Sequence, residues 1–184
     1  DVGVSSIQSP VGSVCLAGVD PQIVLTNYGG NTIANVDIEY QIDAGAVSVL
    51  NWTGNLAQGQ STTITLPTQI PGAGSHTLTA TSVNPNGAVD QNASNNSETS
   101  SFTIVANGQI ADLTIVADCY GSEITWQIDE DGSGNTMASG GPYADVTGGA
   151  TNVENVCLAS GCYVFIINDS YGDGLYGSQW TCTV

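Results

Sequence analysis

Between Val36 and Asp43 apolar and polar residues alternate without a break. Val36, Ile38, Tyr40 and Ile42 fall on one side; Asp37, Glu39, Gln41 and Asp43 fall on the other. A period of two predicts a strand with one face on a core, because successive side chains of an extended chain point to opposite faces. Weaker versions of the pattern predict strands over Val2–Ile7, Gln22–Asn27, Val47–Trp52, Thr62–Leu66, Thr77–Val83 and Ser101–Val105. Turn residues separate them: Asn27-Tyr28-Gly29-Gly30, Asp43-Ala44-Gly45, Pro71-Gly72-Ala73-Gly74 and Asn84-Pro85-Asn86-Gly87. About seven short strands of this kind predict an immunoglobulin-like sandwich over residues 1–105. Helical periodicity is nearly absent, so the fold class is all-β.

Residues 106–111 read as a linker, and a second pattern begins after it. Leu113–Ala117, Ile124–Asp129, Thr136–Ser139, Val153–Leu158, Tyr163–Asn168 and Trp180–Val184 are its predicted strands. Ile124, Trp126 and Ile128 share a face. This predicts a second, smaller β-sandwich or jelly-roll-like unit over 112–184. A unit of that size gains from disulfides or a metal, because it buries too small a fraction of its surface to be robust alone.

Charge narrows the function. The chain of 184 residues has no Lys or Arg and 17 Asp plus Glu, a formal net charge of −17. Nucleic-acid binding draws its affinity from Lys and Arg displacing counterions, so that class is excluded. Docking on anionic membranes is excluded for the same reason. The longest apolar runs, such as Tyr163–Ile167, fall far short of the ~20 residues that span a bilayer as a helix. No basic segment followed by an apolar one opens the sequence, as a leader peptide would. The negative charge is left to solvent, divalent cations or a partner, and Lys/Arg-specific proteases find no site.

Four of the five cysteines lie after residue 115. That clustering in a β-rich stretch predicts a disulfide framework formed in an oxidising compartment. Four cysteines allow three connectivities. Cys157 with Cys162, which flank Leu158-Ala159-Ser160-Gly161, is the first expectation, and Cys119 with Cys182 follows from it. Cys15 is then expected as a buried free thiol. Zinc is disfavoured, since no Cys-x-x-Cys occurs and His76 is the only histidine.

Two aspartate loops are metal candidates. Asp169-Ser170-Tyr171-Gly172-Asp173-Gly174 sets two carboxylates four residues apart in a glycine-containing loop, which suits a hard cation such as Ca²⁺. Asp118, Asp129 and Asp145 are candidate distant ligands. The alternative is a polar turn whose Asp side chains cap backbone amides. Asp129 and Asp131, with Ser133 and Asn135, imitate the first half of an EF-hand loop, but Gly140 stands where the bidentate Glu belongs, and a hairpin turn competes. Asn51, Asn92, Asn95 and Asn168 open glycosylation sequons. His76 is expected as a structural residue in phase with Leu78 and Ala80. Glu39 and Glu154 are expected on solvated strand faces. Trp52, Trp126 and Trp180 would be core residues or, alternatively, a sugar-stacking platform. No Gly-x-Ser-x-Gly occurs, and nothing marks an enzyme.

Several stretches resemble the bacterial cell-adhesion-related CARDB domain, an immunoglobulin-like module. They are 1–10 (Asp-Val-Gly-Val-Ser-Ser-Ile-Gln-Ser-Pro), Asn27-Tyr-Gly-Gly-Asn-Thr-Ile, Asn51-Trp-Thr-Gly-Asn-Leu, Gly74-Ser-His-Thr-Leu-Thr and 84–96. Gly140-Gly-Pro-Tyr, Cys157-Leu-Ala-Ser-Gly-Cys-Tyr and Asn168-Asp-Ser-Tyr-Gly-Asp-Gly resemble a cysteine-containing β-module of secreted and surface proteins of Bacteroidota-type bacteria. The resemblance implies a non-catalytic extracellular module, structural or adhesive. The modules it resembles run on past the position of Cys182, which implies a sheet completed by another segment or chain, and so head-to-tail self-association into a fibre. A second reading is an accessory region of a larger secreted hydrolase, such as a metallopeptidase, that binds a glycan or substrate.

Overall fold

The computed structural model describes residues 1–16 and 18–175. It is all-β and divides into two compact units, Asp1–Ala106 and Asn107–Val184. Among the described residues no helix is long and apolar enough to cross a membrane.

The first unit has eight strands: β1 (Val2–Ser9), β2 (Gly12–Val14), β3 (Gln22–Asn27), β4 (Ile33–Ile42), β5 (Ser48–Leu56), β6 (Ser61–Thr65), β7 (Gly74–Val83) and β8 (Ser97–Ile104). They form two sheets, β1-β3-β6 and β2-β8-β7-β4-β5. All pairings are antiparallel except β2 with β8. The alternation in β4 does what its sequence predicts: Val36, Ile38 and Tyr40 are buried, and they meet Ile23, Leu25 and Val2 from the facing sheet. A satellite cluster joins Leu78, Phe102 and Ile104 to Val19. The two-sheet sandwich expected for this region is present. Strand β2 was not anticipated, since three residues carry too little pattern.

Polar side chains fix the corners. Asn27 is fully buried, yet nothing on it is left unpaired. Its Nδ2 donates to the carbonyls of Asn31 and Leu56 at 2.9 Å each, and its Oδ1 accepts from the Gly29 amide at 2.9 Å. Burying such an amide costs several kcal/mol unless it is bonded, so the three bonds are what admit it to the core. Gly29 is required there, since a Cβ would stand 2.8 Å from the Asp1 nitrogen. The Asn84–Gly87 turn uses two left-handed asparagines, and the Asn86 Oδ1 accepts from the Ala34 amide at 2.7 Å. Segment 90–96 holds the first strand: Asp90 Oδ2 accepts from the Val2 amide at 3.0 Å, and Asn95 Nδ2 donates to Asp1 Oδ1 at 2.9 Å.

The second unit has β9 (Gln109–Ala117), β10 (Ile124–Glu130), β11 (Thr136–Gly140), β12 (Ala150–Leu158) and β13 (Tyr163–Asp169). Its sheets are β9-β12 and β11-β10-β13. Strand β9 starts at Gln109, inside the stretch read from sequence as linker, because Gln109 and Ile110 pair with Leu158 and Cys157. The core is Ile115, Ala117, Ile124, Trp126, Ile128 and Val156. Trp126 lies over Gly140, where a Cβ would stand 2.6 Å from the indole. Its Nε1 donates to the Tyr143 hydroxyl at 2.6 Å, which in turn donates to Glu154 at 3.1 Å.

The cysteines depart from expectation. Cys162 is a free, exposed thiol, so the Cys157–Cys162 bridge does not form. Cys15, expected free, is disulfide-bonded, as are Cys119 and Cys157. The expectation failed because it treated Cys157 and Cys162 as flanking a tight hairpin. Instead β12 and β13 lie in different sheets. The expected partner of Cys119, Cys182, lies outside the described residues, as does Trp180.

Candidate metal centre and ionic clamp

Strand β10 is preceded by a 3₁₀ turn, Gly121–Glu123, and β13 ends at Asp169. The register pairs Ile124 with Asp169, which brings Glu123 beside the Asp169–Gly174 loop. The Ser170 amide donates to the Glu123 carbonyl at 2.9 Å and locks the two together. Carboxylate oxygens of Glu123, Asp169 and Asp173 all lie within 4.8 Å of one another. One calcium ion holds oxygens at about 2.4 Å, so opposite ligands stand ~4.8 Å apart. The three acids fit the sphere of one hard cation.

Asp169 is pre-arranged by the backbone. Its Oδ1 accepts from the Tyr171 and Gly172 amides at 3.0 Å each, and its Oδ2 accepts from the Gly174 amide at 2.7 Å. These bonds hold its carboxyl below the ordinary carboxylate range, the Gly172 amide contributing most. Glu123 goes the other way. Partial desolvation pushes it up first, followed by the negative charges of Asp173, Asp169, Asp118 and Asp145. Five carboxyl groups therefore converge on one end of the second unit with no side-chain cation to offset them. Sequence reasoning missed Glu123. The spacing of Asp169 and Asp173 was visible, but the third acid enters from 46 positions away through strand register.

Asp118 and Asp145 stand near this cluster and are already used by the backbone. Asp118 Oδ1 accepts from the Tyr120 amide, and Asp145 Oδ1 from the Ser122 amide, both at 2.9 Å. Asp129 lies five residues along β10 from Ile124, about 16 Å at strand rise, and belongs to the opposite end. Its carboxylate accepts from Gln127 Nε2 at 2.8 Å and from Thr136 Oγ1 at 2.8 Å. The Asp131 amide donates to the Cys162 carbonyl at 2.9 Å. This loop is the turn of the β10–β11 hairpin, with Gly132 and Gly134 at positive φ.

The first unit has its own ionic feature. His76 Nε2 lies 2.8 Å from the Gly72 carbonyl, and Nδ1 lies 2.8 Å from Asp43 Oδ2. Both partners can only accept, so the geometry asks for a proton on each ring nitrogen: an imidazolium. The Asp43 hydrogen bond pushes the His76 pKa up, and the same bond pulls Asp43 down. Asp43 is further held by the Thr77 amide at 2.9 Å. The chain's one histidine, stacked at 5.5 Å on Phe102, ties the β4–β5 turn to the loop before β7.

The remaining candidates are placed as follows. Asn51, Asn92 and Asn168 are exposed, while Asn95 is half-buried. Trp126 is core, and Trp52 is half-buried against the first core, so these two form no platform. Glu39 lies in the first unit and Glu154 in the second. Tyr120 and Tyr171, 41% and 77% exposed, sit on the two loops that supply the carboxylate cluster.

Comparison with family models and with curated proteins finds no match. Among solved structures, the chain is similar to the CARDB domain of a Pyrococcus furiosus protein, crystallised in complex with di-metal ions. That match has 24% identity and a TM-score of 0.47, and covers 57% of this chain and 93% of that one. The present chain is all-β on its own topology: two β-units without Lys or Arg, the first an eight-stranded sandwich, with Cys15, Cys119 and Cys157 disulfide-bonded.

Proposed function

We propose that this chain is a non-catalytic extracellular module, structural or adhesive, serving as a repeat or subunit of a bacterial surface fibre. The observation that carries this reading is the combination of two β-units and at least three disulfide-bonded cysteines in a chain without Lys or Arg. Disulfides persist where the compartment is oxidising. Strand edges supply the contacts between subunits, since complementary charge is unavailable. Electron microscopy of the purified protein tests the fibre. Regular filaments support it, and a monodisperse monomer at all concentrations removes it.

Calcium is the cation this reading assigns to Glu123, Asp169 and Asp173. Oxygen-only donors suit a hard ion, and their mutual repulsion is relieved when it binds. Titration calorimetry with CaCl₂ tests the site, with Glu123→Gln as the control that should bind more weakly.

A second reading is favoured by Tyr120 and Tyr171. Exposed aromatic faces beside a cation suit sugar binding, as an accessory region of a secreted hydrolase would need. Glycan binding unchanged in a Tyr120→Ala/Tyr171→Ala double variant would remove it.

A further inference from the structure

From Ala44 to Val89 the chain contains no Asp, Glu, Lys or Arg, although the whole carries −17. The stretch supplies β5 and β6 at sheet edges and β7 inside the five-stranded sheet. Strand β5 is the terminal strand of the five-stranded sheet, and β6 is the terminal strand of the three-stranded one. Among the described residues nothing pairs with the outer edge of β5. That strand has nine residues, Ser48–Leu56, without a charge or a proline. Long edge strands are normally blunted by charge, proline or shortness, because their free amides and carbonyls template another strand. Val49, 53% exposed, and the adjoining Val47, 55% exposed, add apolar surface to it.

Among the described residues the other terminal strands differ. Strand β1 has eight uncharged residues, but two register shifts interrupt it, its Val2 amide and carbonyl are taken by Asp90 and Ser82, and Asp1 stands at its start. Strand β11 has five residues. Strand β2 has three residues, and β6 has five. Strand β12 carries Glu154, β9 carries Asp112, and β13 ends at Asp169. A second copy of this acidic chain meets least repulsion along β5. We propose that two copies pair through β5, antiparallel about a twofold axis, joining their five-stranded sheets into one. The nearest outward carboxylates would then be Asp37 and Glu39 of β4. Three strand spacings, ~14 Å, would separate the two copies' β4 strands. That exceeds the ~8 Å screening length at physiological salt. Asp37 is further tempered by Asn51 Nδ2, which donates to it at 2.6 Å.

This pairing stands apart from the fibre reading, because an isologous contact closes after two copies. Sedimentation of the full chain over a range of concentrations tests it. The expected species is a dimer that tightens as salt rises, since screening weakens repulsion between two −17 molecules. Thr53→Asp/Asn55→Asp adds like charges on the facing edges. It should weaken dimerisation about tenfold or more, equivalent to ~1.4 kcal/mol, while Thr53→Ser/Asn55→Ser should not. Amides 48–56 should lose hydrogen-exchange protection on dilution, a readout independent of the variants. Four outcomes would each overturn the proposal: a monomer throughout, an undisturbed dimer in the aspartate variant, dimerisation weakened by salt, or unchanged exchange in β5. Filaments of the unaltered protein together with an undisturbed dimer in the aspartate variant would overturn it while leaving the fibre reading intact.

Discussion

The two units solve the same problem with different means. Among the described residues, the first buries sixteen hydrophobic side chains and the second seven. Of the 17 carboxyl residues, seven lie in the first unit and ten in the second. The first is a sandwich whose two sheets cover each other, closed by satisfied polar groups such as Asn27. Among its described residues the second has a two-stranded and a three-stranded sheet around Trp126, and gathers five carboxyl groups at one end. A thin core and a concentrated charge make it the unit that, in our reading, depends on an ion. Apolar area carries more of the first unit's stability, and electrostatics more of the second's, while disulfide-bonded cysteines occur in both.

The comparison is broken most directly by matched core deletions. Ile38→Ala should cost about 2–5 kcal/mol and Trp126→Ala about 3–5 kcal/mol. Calorimetry should show the first unit still melting cooperatively at a lower temperature, and the second unit's transition lost. Equal survival of both would mean that the second core is sturdier than its size suggests.

Calcium sharpens it next. Ion at a hundredfold over its dissociation constant should stabilise the second unit by about 2.7 kcal/mol. The first unit's melting should not move, and Asp173→Asn should abolish most of the gain. A smaller effect is expected at Asn27. Its replacement by Ala removes the buried donor to the Asn31 and Leu56 carbonyls, which should cost about 1–3 kcal/mol. Hydrogen exchange should locate that loss in the first unit alone.

The smallest effects are the pH slopes, and they differ in window. His76 has a raised pKa when folded, so its contribution is complete below 6.5 and is lost as pH rises through the folded value. The first unit should therefore melt earlier as pH climbs above 6.5, and His76→Gln should flatten that slope. Glu123 is also raised when folded, so its contribution is complete below 4.5 and declines as pH rises through its folded value. Calcium should erase that decline, because the ion favours the charged carboxylate. A His76→Gln protein with an unchanged slope above pH 6.5 would show that the clamp is not protonated in solution.

Much of the fold could be read before any coordinates. The alternation over Val36–Ile42 and the shared face of Ile124, Trp126 and Ile128 marked core strands, because a period of two is a local property of extended chain. The asparagine and glycine turns were visible for the same reason. Strand β2 and the first residues of β9 were not, since three residues or a polar start carry no periodicity. The candidate site was half legible. Asp169 and Asp173 announced a loop able to hold a cation, but Asp129 and Asp131 imitated one equally well. Only the β10–β13 register separates them by the length of a strand and adds Glu123. The cysteine reasoning failed on the same ground: nearness in sequence suggested Cys157 with Cys162, and β12 and β13 entered different sheets.

By itself the sequence determined the all-β class, the strand faces and the exclusion of anionic partners, because composition and short-range periodicity act residue by residue. Tertiary structure decided which acids converge, which thiol stays free, which aspartate meets the one histidine and which uncharged strand stands at an edge. Those choices depend on register between segments tens of residues apart, where backbone pairing and burial select one juxtaposition among many that the sequence allows.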